Sequence, residues 1–163
     1  MWLSYESFND DEGKKHFRES LNPILKGYSN GFEISNDGEI LMLPDHGLSN
    51  LYNADIPSTD DANVKSRIEN AVVKFRRHKS TQDDRKEAIR ELADVLEFLR
   101  PEVKRHLNKK DENDIFTIAN NFGIRHHNTE QKVDYDKAIW YSWIFYFYLA
   151  TIHSLLRIIK KSN

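Results

Sequence analysis

The residues best suited to chemistry lie in one short stretch of the chain, residues 120–128, with the sequence NNFGIRHHN. Within it, Arg125 is followed directly by His126 and His127. A guanidinium binds phosphate oxygens in a planar, bidentate way, and an imidazole gains and loses a proton near neutral pH. This combination is typical of sites that handle a phosphodiester without a metal ion. The stretch is therefore the first candidate for a functional site.

Gly123 lies just before this cluster and can end the preceding helix by adopting a left-handed conformation. The polar side chains would then lie at a helix end, near the start of the next helix. A structural interpretation stays open, in which Arg125 and the two histidines only cap helices and bridge nearby acids. The histidines could also bind a metal with Glu130 or Asp134, but their spacing matches no recognised ligand pattern. We therefore expect no metal and no cofactor.

A second candidate site is the basic run around Arg76 and Arg77, at the end of a predicted helix. Arginines at such a position can bind RNA phosphates, and they also complement the negative end of the helix dipole. Two interpretations of the pair therefore remain, namely a phosphate-binding surface and a solvated helix end.

Hydrophobic periodicity predicts a mainly α protein with one β-hairpin as the frame that positions these residues. The hairpin is predicted at residues 31–35 and 39–43, because Asn36, Asp37 and Gly38 supply the positive φ angles of a tight turn. Residues 44–58 are predicted as a loop. The predicted helices are 8–26, interrupted at Pro23; 59–79, capped by Thr59 or Asp60; 80–107, capped by a Ser80–Asp83 box and kinked at Pro101; 111–122; and 134–160, capped by Asp134.

The links between the helices are short, which favours an antiparallel helical bundle over residues 59–163, with residues 1–58 as an appendage of helix plus hairpin. The chain has 24 Lys and Arg against 26 Asp and Glu, so any RNA contact must be local. The absence of cysteine excludes disulfides and thiolate metal sites. The N-terminus has no basic region followed by an apolar one, so we expect no signal peptide and a cytoplasmic protein.

The segment AIWYSWIFYFYLATIHSLL, residues 138–156, carries no formal charge and approaches the length of a membrane span. Its aromatic residues are spread along the whole segment, and several hydroxyl groups would lie at membrane depth. We therefore expect a buried helix of a soluble bundle and no membrane. Because one small bundle cannot cover so much aromatic surface, we also expect a homodimer through Trp140, Trp143 and Phe147.

The predicted order of elements is two long helices, a short helix, a junction with arginine and histidine, and a long final helix. This order resembles the HEPN superfamily of bacterial defence and toxin–antitoxin proteins. The junction IANNFGIRHHN is similar to the abortive-infection branch, and the hairpin GFEISNDGEILML resembles a small N-terminal module sometimes joined to it. The resemblance covers about residues 60–160. It implies a dimeric four-helix bundle and, as in many members, a metal-independent endoribonuclease whose arginine and histidine meet in the dimer cleft.

The resemblance also implies roles for individual residues. In such a ribonuclease, His126 or His127 would take the proton from a ribose 2′-hydroxyl, and a second imidazole would protonate the leaving 5′-oxygen. Arg125 would stabilise the charge that grows on the phosphate oxygens. Asn121 or Asn128 would orient the phosphate by hydrogen bonding.

The spacing of the charged residues departs from the family pattern. Family members have several residues between the arginine and the histidine, whereas His126 follows Arg125 directly. Arg100 and His106 have the usual separation, but they lie on either side of Pro101 in another predicted helix. Two function classes therefore remain. One is a defence-linked endoribonuclease, and the other is a non-catalytic module for RNA or nucleotide binding or for assembly with a larger defence-system partner.

Overall fold

The computed structural model describes residues 9–29, 31–44, 47–57, 62–124 and 134–162. Within these ranges the chain is mainly helical with one two-stranded sheet, which confirms the predicted fold class at that level. The elements are α1 (Asp10–Leu25), β1 (Phe32–Ile34), β2 (Ile40–Met42), α2 (Ser49–Tyr52), α3 (Ala62–Arg76), α4 (Gln82–Phe98), α5 (Arg100–His106), α6 (Lys109–Asn121) and α7 (Lys137–Ser162).

The hydrophobic core is built mainly from α3, α4 and α7, with α5 and α6 packed at its side. Periodicity in the sequence predicts an apolar stripe on α4, and the structure confirms it, since all the members within the helix are buried, as is Leu99 just after it: Ala88, Ile89, Leu92, Ala93, Val95 and Leu96. Phe75 of α3 stacks on Phe145 of α7 with ring centroids 4.0 Å apart. Burial of each such side chain stabilises the fold by roughly 1.5–3 kcal/mol. This aromatic contact joins the first and last helices of the core.

The β-hairpin is confirmed, with antiparallel pairing of Phe32 with Met42 and of Ile34 with Ile40. Gly38 in its turn has a φ of 83°, a conformation that favours glycine. The hairpin is fixed to α3 because the His78 N–H donates to the Ile40 carbonyl at 2.8 Å. On its other side, Asn22 of α1 exchanges two hydrogen bonds with the backbone of Ile34. The appendage is therefore tied to the bundle through its strands.

Several predicted helix limits were wrong, and local hydrogen bonds explain why. The capping box of α4 uses Thr81 and Asp84, one residue later than predicted, because the Ser80 hydroxyl donates instead to the Lys74 carbonyl at 3.1 Å. The helix α3 ends at Arg76 and not at residue 79, because the next residues bond to the hairpin. The helix α7 is capped by Asp136, which accepts from the N–H groups of two residues in its first turn, and not by Asp134.

Three other limits also differ. The predicted loop 44–58 contains the short helix α2, which is too short to show periodicity. The long helix predicted to residue 107 is divided at Leu99, next to Pro101, into α4 and α5. Pro23 does not end α1, which continues to Leu25. The helix α6 starts at Lys109, earlier than predicted, because Asn108 caps it. The predicted caps Thr59 and Asp60 lie outside the described residues.

Among the described residues, α7 is the one helix whose length and apolar composition would allow it to cross a membrane. In this fold it serves as a core helix, since nine of its side chains are buried, among them Ile144, Tyr148 and Ile152. Its apolar character on that face is explained by packing against α4. A second face stays open, with Trp140 39% and Trp143 43% exposed.

Candidate functional site

The helix α6 ends in the way that the sequence predicts, with Gly123 in the left-handed conformation at a φ of 62°. The Gly123 N–H donates to the Asn120 carbonyl at 3.2 Å, and the Ile124 N–H donates to the Ala119 carbonyl at 2.9 Å. This pair of bonds forms a Schellman motif, which satisfies the last carbonyls of a helix and turns the chain away. Asn121, a predicted phosphate-binding residue, is the last residue of α6 and is exposed.

Both flanks of the predicted catalytic segment are held against the bundle. On the entry side, Ile124 is fully buried and its carbonyl accepts from Arg90 Nε at 3.2 Å. On the exit side, the Tyr135 hydroxyl donates to the Phe122 carbonyl at 2.9 Å, and the two rings meet edge to face. Burial, followed by a hydrogen bond with Tyr141, raises the pKa of Tyr135, so its phenol stays protonated as a donor. The two flanks are thus close together.

Arg125, His126, His127 and Asn128 lie outside the described residues, so their roles stay predictions. The structure describes the residues on either side of this segment, Ile124 before it and Asp134 after it.

Three cationic side chains lie near one another beside the start of this segment, although one of them, Arg90, is also paired with Glu87. The sequence interpretation missed all three. Lys86 and Arg90 lie one turn apart on α4, and Lys137 starts α7. Burial lowers the pKa of Lys86, and the charges of Arg90 and Lys137 lower it further, whereas Asp83 and Glu87 act in the opposite direction. Like charges this close repel one another, and an anion would relieve that repulsion. The i, i+4 spacing on α4 was visible in the sequence, but the approach of Lys137 depends on the fold.

Arg76 and Arg77 both bind the hairpin, each in a different way. Arg76 donates from Nη2 to Glu33 Oε1 at 2.5 Å and from Nε to the Met42 carbonyl at 3.0 Å, and its side chain is only 8% exposed. Arg77 makes a two-pronged contact with Glu39, at 2.9 and 3.0 Å, and is half exposed. These contacts give both arginines a structural role, and phosphate binding by them stays a prediction.

His153 of α7 is buried, and its Nδ1 has no hydrogen-bond partner among the residues the structure describes. Burial and the neighbouring Arg157 lower its pKa, so the ring is neutral at physiological pH. The ring lies against a cavity of about 470 Å³ between α2, α3 and α7.

No three His, Asp or Glu side chains within the described ranges lie together in a way that would hold a metal ion. Comparison with protein-family models, with curated proteins and with solved structures finds no match to this chain. The chemical case for a site therefore rests on the residues themselves.

The two arginine contacts predict a contrast in stability. Arg76→Ala leaves the largely buried Glu33 carboxylate without its partner. It should lower the free energy of unfolding by roughly 2–3 kcal/mol, a smaller loss than breaking a fully buried ion pair would cause. Arg77→Ala removes an exposed pair and should cost roughly 0.2–1 kcal/mol. Urea unfolding followed by circular dichroism measures both values. Equal losses in the two variants would contradict the structural role of Arg76.

Proposed function

We propose that this chain is a HEPN-like domain of bacterial defence that cleaves RNA without a metal ion and acts as a homodimer. Arg125 with His126 or His127 carries the chemistry. The observation that supports the site most directly is the attachment of this segment beside Lys86, Arg90 and Lys137. RNA phosphates bind to clustered cations, and Arg90 of this cluster binds the carbonyl of Ile124, the residue before Arg125.

The proposed reaction divides the work between the described and the predicted residues. The cation cluster on α4 and α7 attracts the RNA backbone, while Asn121 at the end of α6 is exposed to bind a phosphate oxygen. One imidazole removes the proton from the ribose 2′-hydroxyl, and the resulting oxygen attacks the adjacent phosphorus. A second imidazole protonates the departing 5′-oxygen. Arg125 stabilises the extra negative charge on the phosphate during the attack.

The homodimer is part of the same proposal. The exposed face of α7 presents Trp140 and Trp143, whose rings meet edge to face at 5.5 Å, and Trp143 stacks on Phe147 at 5.7 Å. An ordered aromatic surface of this kind is typical of the centre of a protein interface. A twofold contact through this face would bring two copies of the segment after Ile124 near a shared axis, because Phe122 packs on both tryptophans.

A second candidate function is a non-catalytic module that binds RNA or a nucleotide or that assembles with a larger defence-system partner. One sequence observation favours it, namely that His126 follows Arg125 without the spacing of the nuclease family. One structural observation also favours it, since Arg90 uses its Nε–H to hold the Ile124 carbonyl and so contributes to the architecture of the junction.

RNA cleavage by the purified protein in EDTA tests the choice between the two functions. Wild type should cleave, and Arg125→Ala and the double variant His126→Ala/His127→Ala should each lose roughly 100-fold or more of the rate, because each removes a group that acts in the transition state. Arg105→Ala is a matched control, since Arg105 is an exposed arginine of α5 that pairs only locally with Glu102.

Cleavage that survives in both site variants would contradict the proposed site. A wild-type protein that binds RNA, keeps its dimer and cleaves nothing would establish the non-catalytic function instead.

The dimer has a separate test. Trp143→Asp places a charge on the open face of α7 and should give a folded monomer, because this side chain is 43% exposed within one chain. Ile24→Asp, at an exposed apolar residue of α1, is the control and should leave the dimer intact. Light scattering after size-exclusion chromatography gives the mass of each species. An unchanged dimer for Trp143→Asp would exclude this face as the interface.

A further inference from the structure

A small pocket lies between β2, α2, α3, α4 and α7. Its volume is about 130 Å³. Two guanidinium groups, from Arg76 and Arg85, line it together with the phenols of Tyr52 and Tyr146. Leu43, Pro44 and Phe75 supply the apolar part of its wall. The pocket therefore combines cations and hydroxyl groups in a small, half-open space, and none of the described residues that line it carries a carboxylate.

Arg85 is the unusual residue of this pocket. Its Nε–H is shielded from solvent and meets no hydrogen-bond acceptor among the described residues. Its guanidinium carbon lies 5.4 Å from the centre of the Phe75 ring, which is a cation–π contact. Within the ranges that the structure describes, no carboxylate lies within ion-pair distance of Arg85. A shielded N–H of a charged group without an acceptor is costly, so such a group is normally found with a partner.

Arg76 differs from Arg85 because the fold already compensates its charge. Glu33 and the Met42 carbonyl take two of its five N–H groups, and its guanidinium carbon lies 4.9 Å from the centre of the Tyr52 ring. The remaining N–H groups of Arg76 make no hydrogen bond to another described residue and could bind a ligand in the pocket. With the Arg76 charge balanced by Glu33, the charge of Arg85 gives the pocket a net positive character.

The two tyrosines add neutral hydroxyl groups. Burial raises the pKa of Tyr52, and Tyr146 raises it further by its charge and its hydrogen bond, although both arginines act in the opposite direction. Tyr52 therefore stays protonated at physiological pH. The Tyr52 and Tyr146 rings lie 5.4 Å apart, so both hydroxyl groups are near the same small volume. The Tyr52 hydroxyl is hydrogen-bonded with Tyr146, and both phenols lie beside the two guanidinium groups of the pocket.

We propose that this pocket binds a phosphate group, with Arg85 as the principal ligand and Arg76 and Tyr52 as supporting donors. Guanidinium is the side chain that best matches a tetrahedral oxyanion, because its N–H groups bind two oxygens at once. The pocket has roughly the volume that four water molecules occupy in the liquid. This is enough for one phosphate group but not for a whole nucleotide. The ligand is either inorganic phosphate or the terminal phosphate of a mononucleotide whose sugar and base remain outside.

The proposal goes beyond the proposed function, because neither Ile124 nor Asp134, the described residues on either side of the Arg125 segment, lines this pocket. It therefore predicts binding whether or not the protein cleaves RNA.

Isothermal titration with inorganic phosphate and with adenosine 5′-monophosphate, at constant ionic strength, tests the pocket. Wild type should bind at least one of the two with saturation, and Arg85→Met should weaken that binding at least tenfold. Arg77→Met is the matched control, because Arg77 lies next to Arg76 but pairs with Glu39 outside the pocket, and it should bind like wild type. Binding of the nucleotide alone would identify a terminal phosphate, and binding of both would identify the phosphate group itself. Binding of inorganic phosphate alone would identify the free ion.

Thermal unfolding without phosphate gives an independent signature. Arg85→Met should be at least as stable as wild type in phosphate-free buffer, because it removes a charge that has no partner there. Arg85→Lys keeps the charge but loses the planar fork, and it should bind phosphate more weakly than wild type. The absence of saturable binding by wild type, or equal binding by wild type and either Arg85 variant, would overturn the proposal.

Discussion

Packing of α7 against α3 and α4 is the interaction on which the other features of this protein depend. Nine side chains of α7 are buried, and the stacking of Phe145 on Phe75 connects the helix to α3 across the core. The Tyr148 hydroxyl also donates to the Ile115 carbonyl of α6 at 3.2 Å, and this bond satisfies a polar group deep in the core. The last helix thereby fixes where α6 ends and where the polar segment after Ile124 begins.

Both candidate sites are consequences of this packing. At the start of α7, Lys137 comes close to Lys86, and the aromatic residues after Asp136 pack on Phe122 next to the Schellman turn. One turn further along, Tyr146 reaches Tyr52 and closes one side of the Arg85 pocket. The hairpin closes the other side, held by Arg76. A single buried helix therefore sets the geometry of two positively charged places that differ in shape, one a partly buried cluster at the surface and the other a small, half-open pocket.

The sequence predicted the parts of the fold that depend on short-range patterns. The stripe from Ala88 to Leu99, the turn at Gly38 and the helix end at Gly123 were all correct, because periodicity and the left-handed preference of glycine act within a few residues. The helix cap at Thr81 was missed because Ser80 offers the same chemistry one residue earlier. Only the distant carbonyl that binds Ser80 decides between the two.

The site residues that depend on tertiary contacts were harder to predict. Arg85 follows Asp83 and Asp84 in the sequence, which suggests a local ion pair, whereas Asp84 bonds to Thr81 and Arg85 turns toward Phe75. Lys86 and Lys137 are separated by about a third of the chain and come near each other only after α4 and α7 pack together. Conversely, the sequence selected Arg76 and Arg77 for their charge, and the fold uses both of them to hold the hairpin.

Amide hydrogen exchange followed by mass spectrometry tests the central role of α7 most directly. If α7 is the core helix, peptides from residues 144–156 and from the middle of α4 should exchange most slowly, near the limit of global unfolding. Peptides from α1, which has no buried residue, should exchange much faster in the same sample. Exchange of the α7 peptides at the rate of α1 in the soluble protein would contradict the account.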